Sequence, residues 1–365
     1  MTGSIPPNWP QPLRLLCACL GAPSPDQVSA LARDMSPQDW DRFVWLATER
    51  HRVAPRIPQN LAASVLPPDV AEALAARVKA NATQTLVLMA ETRRVHQALS
   101  KAGIDPVIFK GWPLSERLFN TPAARHSGDL DLAIAPQDLP MACTVMENCG
   151  YAADGGRTRL TRIGGGKAMM DEGKDFSFIH PAGHKVDLHW HLLPYRGWPR
   201  ILDLPGAVTR QDTQAGTYSV LSDQANMLYL PIHGGLHLWT RLKWLTDIAP
   251  LAVIRGTKGL TDDLALARRL GVGRSLELGL RLSARLFGSP LPDGLDLVPP
   301  GRTERFMLDT IARDDMIPVI SPRYRFWTRI NALRLAQGPR QIWGVIRYDT
   351  LRRWRWRLVG MQKRS

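Results

Sequence analysis

The sequence predicts an α/β (α+β) protein, with a small mixed sheet flanked by N- and C-terminal helical regions. Three observations carry that expectation. Short apolar runs of strand type are concentrated in residues 104–192. Apolar residues at helical spacing dominate before residue 103 and again from residue 222. Within the strand region, two runs at 175–180 and 185–190 flank Pro181-Ala182-Gly183-His184, a turn sequence, and so predict a hairpin. A chain of 365 residues is long enough for two domains and a sizeable core. The expected divisions are a helical region at 1–103, a catalytic core at 104–220, a second helical region at 221–320 and a basic Arg/Trp-rich tail at 321–365.

Residues 1–12 are Pro-rich and predict an irregular arm. Residues 13–64 predict short helices. The clearest opens at Ser36-Pro37-Gln38-Asp39, with Ser36 as N-cap and Pro37 at the first helical position. Pro67-Pro68 opens a long helix over 69–101, closed by Gly103. No chemistry is legible here, and the region is expected to pack on the sheet and shape one wall of an acceptor site. The run at 106–109 predicts the first strand, 112–119 a helix after Gly111, 128–135 the second strand and 136–148 a helix ending at Gly150. The stretch 154–174 is glycine-rich but has no helix-opening Gly-Lys-Ser/Thr, so it is neither a P-loop nor a dinucleotide fingerprint. It is expected to form a flexible loop over the site. Residues 193–220 read as a linker with short strands such as 218–221. Consecutive helices follow over 222–288, the first capped at Ser222-Asp223-Gln224. After a Pro/Gly loop at 289–301 the pattern is helical and increasingly basic.

The chemistry centres on Gly128-Asp129-Leu130-Asp131-Leu132-Ala133-Ile134. Alternation places Leu130, Leu132 and Ile134 in the core and aims Asp129 and Asp131 at one spot, about 7 Å apart at Cα. Two carboxylates so close repel unless a cation lies between them. Oxygen ligands of this kind suit Mg²⁺. An isolated Asp-x-Asp is also common on the solvent side of an edge strand. Asp187, His189 and His191 share one face of another run, a pattern that also admits zinc. Residues two apart on a strand are far to share one ion, however, and no fourth ligand is evident.

Lys110-Gly111, Arg125-x-Ser127-Gly128-Asp129-Leu130-Asp131 and Val186-Asp187-Leu188-His189-Trp190 together resemble the signature of the polymerase-β-like nucleotidyltransferase superfamily. More closely, most of the chain resembles a group of uncharacterised bacterial nucleotidyltransferase family proteins. The resemblance implies a metal-dependent enzyme that moves a nucleoside monophosphate, AMP from ATP or another nucleoside triphosphate, to an acceptor hydroxyl with release of pyrophosphate. It implies two Mg²⁺ ions on Asp129, Asp131 and Asp187, with Asp187 also a candidate proton acceptor. Lys110, Gly111, Arg125, Ser127, Gly128 and His189 are the candidate nucleotide contacts, with Arg125 alternatively a charge partner for Asp129 and His189 a hydrogen-bond partner of a metal-ligating carboxylate. A His-containing helix followed by Leu-x-Trp-Leu-x-Asp also resembles the group, which implies nucleotide or acceptor contacts for His233, His237, Lys243 and Asp247. Their other reading is core histidines and a structural anchor for Arg241 or Lys243. One departure stands out: Gly111-Trp112 replaces the usual Gly-Ser, so the phosphate-contacting serine is missing. Lys110 and the amides of the following helix are expected to take its place. The acceptor is open among a small molecule, a protein and a peptide. Two other classes stay open: a catalytically idle module binding nucleotide, RNA or a partner, and a kinase-like transfer of the γ-phosphate.

Composition is ordinary, with 44% hydrophobic and 22% charged residues. No apolar run reaches the ~20 residues of a membrane span, and the N-terminus lacks the pattern of a secretory signal. Cys17, Cys19, Cys143 and Cys149 have neither zinc nor redox spacing and fit buried positions in a reducing cytoplasm. The net charge of +14 is uneven. Residues 321–365 hold twelve Lys/Arg and one acid, Asp349, leaving only +3 for the remaining 320 residues. Leu351-Arg352-Arg353-Trp354-Arg355-Trp356-Arg357 interleaves cations and indoles. That suits a solvated helix closing the bundle, or contact with an anionic membrane surface, an acidic partner or nucleic acid.

Overall fold

A computed structural model provides the fold and describes residues 5–21, 25–57, 65–153, 173–316, 322–348 and 350. Most of the glycine-rich stretch and the whole Arg/Trp motif lie outside the described residues.

Three short helices, α1 (Gln11–Leu20), α2 (Pro25–Ala32) and α3 (Pro37–Trp45), precede the long α4 (Pro68–Lys101). Ser36 starts α3 as its sequence predicts. Its Oγ accepts the Asp39 N–H at 3.2 Å while Asp39 accepts the Ser36 N–H at 3.0 Å, closing a capping box. Next come β1 (Val107–Ile108), α5 (Gly111–Phe119), β2 (Leu130–Ala133), α6 (Leu139–Asn148) and β3 (Ala152–Ala153). The expected hairpin is β4 (Asp175–Ile179) and β5 (Lys185–His189).

The region read as a linker holds a second hairpin, β6 (Val208–Thr213) and β7 (Gly216–Leu221), and extends the sheet. It escaped a pattern reading because β6, Val-Thr-Arg-Gln-Asp-Thr, is a largely exposed edge strand with no apolar alternation. The order is β3-β4-β5-β2-β1-β7-β6. The central β2 runs parallel to β5 and antiparallel to β1.

Period-two alternation assigns the two sheet faces. Leu130, Leu132, Ile134, Val186 and Leu188 pack in one core with Leu88, Val95 and Leu99 of α4 and with Leu139 and Met146 of α6. Each such burial contributes roughly 1.5–3 kcal/mol. The other face, carrying Asp131 and Ala133, meets a second core. That core is built from the N-terminal helices and from α7 (Asp223–Leu236), α8 (Leu242–Arg269) and α9 (Gly273–Phe287). The chain then continues through α10 (Arg302–Ala312), α11 (Pro322–Leu335) and a helical stretch at 339–348. Among the described residues, no helix is long and apolar enough to cross a membrane. Cys17, Cys19 and Cys143 are buried, as expected, and burial pushes the Cys143 thiol up to about 11.

Candidate active site

Strand register brings the acids together. Asp131 and Asp187 are direct partners in the parallel β2–β5 ladder, about 4.8 Å apart in the pairing direction. Asp129 lies two residues before Asp131. Lys185, two residues before Asp187, donates from Nζ to Asp187 Oδ2 at 2.9 Å and lies 3.8 Å from Asp129 Oδ2. One ammonium thus joins carboxylates from both strands. Ser177 on β4 donates to the other Asp187 oxygen at 2.6 Å.

Lys110 lies two residues past β1, at the N-cap of α5. Its Nζ donates to Asp131 Oδ1 at 3.2 Å and stands 4.9 Å from the Phe109 ring and 5.6 Å from the Tyr229 ring. His189 Nε2 meets the same Asp131 oxygen at 3.2 Å, with Phe109 edge-on to its imidazole. Burial disfavours the Asp131 carboxylate, but Lys110 and His189 outweigh it and hold its pKa well below the usual range. Asp129 goes the other way: burial, then Asp131 and Asp187, push its carboxyl up against the pull of Lys185 and Lys110. Burial opposes the Lys110 ammonium, and Asp131 more than offsets it, so that pKa is raised.

Several expectations are redirected. Arg125 does not pair with Asp129: its Nε donates to Asp247 Oδ2 at 2.9 Å, and both side chains are buried. The cause is local, because the Ser115 hydroxyl accepts the Arg125 N–H at 3.1 Å in the turn after α5, and the guanidinium reaches α8. Asp247 therefore anchors Arg125 rather than Arg241 or Lys243. His237 Nδ1 faces the Tyr324 hydroxyl at 2.9 Å, and its ring stacks on Trp244. His233 lies beside Tyr229 and within the field of Lys110. His191 lies past the end of β5 with Nε2 3.0 Å from Arg200 Nη2, so Asp187, His189 and His191 do not form a zinc set.

The serine missing after Gly111 has a structural counterpart. Trp112 is turned into the core, where its Nε1 donates to Thr92 Oγ1 at 3.0 Å. Gly111 adopts φ +72°, and a Cβ placed on it would stand 3.8 Å from Ser127 Oγ. Ser127 is 5% exposed and its Oγ has no hydrogen-bond partner among the described residues. A hydroxyl from the loop before β2 thus reaches the turn from the side. Sequence reasoning assigned no role to Lys185 or Ser177. Lys185 was legible, being on the same strand face as Asp187, whereas Ser177 depends on the β4–β5 register.

Among the described residues, no three His, Cys, Asp or Glu side chains stand at metal-ligating spacing. Lys110, Lys185 and His189 hold the carboxylates instead. Carboxylate oxygens are the donor type that a hard divalent cation takes, and the Lys185 ammonium lies near two of these carboxylates.

A mixed sheet that brings aspartates from two parallel strands to one face, beside a Lys-Gly turn, has the frame of a nucleotidyltransferase. The chain belongs to the family of uncharacterised nucleotidyltransferases, whose model matches residues 36–288. No curated protein matches it. One solved structure similar to it is an antigenic nucleotidyltransferase-like protein from Paracoccidioides brasiliensis. It is 16% identical, with 57% of this chain and 94% of that chain covered and a TM-score of 0.33.

Proposed function

We propose that this protein transfers a nucleoside monophosphate, AMP from ATP, to an acceptor hydroxyl and releases pyrophosphate. The observation that carries this reading is the Asp131–Asp187 register pair, with Asp129 two residues away and cationic side chains on all three. Asp187 takes the proton of the acceptor hydroxyl. Its carboxylate has about four acceptor positions, so the bonds from Ser177 and Lys185 leave room for a further donor. The acceptor oxygen then attacks the α-phosphorus. The bond from that phosphorus to the bridging oxygen breaks, and pyrophosphate leaves with the electron pair. Lys110 and the Ser127 hydroxyl steady the phosphates. Asp129, Asp131 and Asp187 would hold Mg²⁺, two ions by family resemblance, which when bound supplies neutralisation of phosphate charge.

The test incubates the full chain with Mg²⁺ and ATP labelled at the α-phosphate. Labelled AMP on an acceptor or on the protein itself, with pyrophosphate release, is the expected result. In Asp131→Asn the label should fall to background, and in Asp187→Asn by about 10²–10⁴-fold, the scale of a lost general base. Transfer from γ-labelled ATP alone would establish a phosphoryl transferase instead. Nucleotide binding without any transfer would establish an idle module.

A further inference from the structure

A cavity of about 240 Å³ opens beside Asp129, between the segment after α3, one face of α4 and the turn His126-Ser127-Gly128. Arg52, Arg77 and Ser127 line it, with Glu49 the acid among its walls. Arg77 already neutralises Glu49 at 2.7 Å. Ser127, nine-tenths buried, brings the unpartnered Oγ described above.

Among the described residues, no hydrogen bond or ion pair engages the side chains of Arg52 and Lys243. Arg241 is 9% exposed, with Nε unpartnered. These groups feel one another. Burial and then Arg125, Arg241 and Arg52 push the Lys243 ammonium down to about 7, while Asp129 pulls the other way. Burial and then Lys243 and Arg52 push His126 down to about 4. A guanidinium at a half-buried surface with no paired carboxylate among the described residues is stabilised by an anion. The Arg52 backbone has φ +57°, an uncommon conformation for a residue with a side chain, and it occurs where this cation meets the cavity.

Shape narrows the anion. The volume is below the roughly 300–1,000 Å³ of pockets that take drug-sized ligands, so it admits a charged group rather than a whole nucleotide. A guanidinium fork and a hydroxyl suit the several oxygens of a phosphate.

We infer that Arg52 and Ser127 form a second phosphate subsite next to Asp129, to which the N-terminal helical region contributes a substrate-binding residue. The phosphate comes either from the end of the nucleotide's triphosphate or from a phosphorylated acceptor. This inference rests on the nucleotidyltransferase reading for its role but not for its test, which reads neither metal nor turnover.

The test is calorimetric titration of the full chain, in EDTA and low chloride, with inorganic phosphate, pyrophosphate and ATP. Saturable phosphate binding is expected. Arg52→Ala should weaken it about 10–100-fold, and Ser127→Ala about 2–10-fold. These two changes lie on separate elements, so misfolding of one leaves the other to decide. Weakening of ATP in parallel with phosphate in Arg52→Ala assigns the subsite to the nucleotide's terminal phosphate. Unchanged ATP affinity with weakened phosphate assigns it to the acceptor. No saturable phosphate binding up to about 10 mM, or folded variants that bind as the parent does, overturns the inference.

Discussion

Asp129 and Asp131 are the same residue type two positions apart, yet their surroundings push their acidities in opposite directions. Asp131 is deeper and has two nitrogen partners; Asp129 has Lys185 no nearer than 3.8 Å, so burial and then its neighbouring carboxylates prevail. The Lys110–Asp131 pair therefore has a defined pH window. Asp131's depressed pKa contributes stability above the unfolded carboxylate value of about 4, lost as pH falls through the folded value. Lys110's raised pKa contributes below about 10.4, lost as pH rises through the folded value. Lys110→Met should thus lower the unfolding free energy by about 3–5 kcal/mol near neutrality. The difference from the parent should shrink below about pH 4 and above about pH 10. Urea titrations across pH measure it, and a pH-independent difference would mean that lost packing, not charge, dominates.

The turn between β1 and α5 shows how a short element sets the site. Lys110 faces Asp131, Gly111 takes the left-handed conformation, and Trp112 locks into the core through Thr92. Space beside Gly111 is ordinary, since a Cβ would meet Ser127 Oγ at 3.8 Å. Gly111→Ala should therefore cost about 1–2 kcal/mol through backbone strain alone. A thermal shift reports the strain, and a much larger loss would point to a clash. This turn and β2 were legible because their signals are local: a Lys-Gly after an apolar run, then Asp-x-Asp on an alternating strand. The Asp131–Asp187 pairing needed resemblance to the family, because the two lie 56 residues apart in the chain and period two alone does not choose partners. The Arg125–Asp247 bond joins elements 122 residues apart, and Arg52 reaches the cavity from a helical region whose local pattern carries no chemistry. Such contacts leave no spacing to read. The edge strand β6 was missed for a different reason: a largely exposed edge strand has no apolar face to produce alternation.

Across the whole molecule, helices from both ends of the chain close on the acidic face of the sheet and are tied to one another beneath the surface. Arg50, 2% exposed, donates through Nη1 to the Thr240 carbonyl and through Nη2 to the Arg313 carbonyl at 2.7 Å and the Thr310 carbonyl at 3.2 Å. His51 beside it accepts the Leu242 N–H at 3.2 Å, where α8 begins. Burial and then Arg50 hold the His51 pKa well below the ordinary value, which keeps the ring neutral and able to accept. The same N-terminal segment reaches the site through Arg52, and α4 holds the loop before β2 by the Asn81 bond to the Ala123 carbonyl at 2.8 Å. Regions separable in sequence are thus joined by buried polar bonds, and they should unfold as one unit. Arg50→Met fills similar space but leaves three carbonyls without their charged donor, at about 1–3 kcal/mol for each that finds no other partner. Arg50→Met should lower the urea midpoint with an unchanged slope, and tryptophan fluorescence and far-ultraviolet circular dichroism should coincide in parent and variant. Two resolved transitions in the parent would show that the helical regions fold independently of the sheet, and the candidate phosphate subsite would then join two mobile bodies rather than lie in one rigid frame.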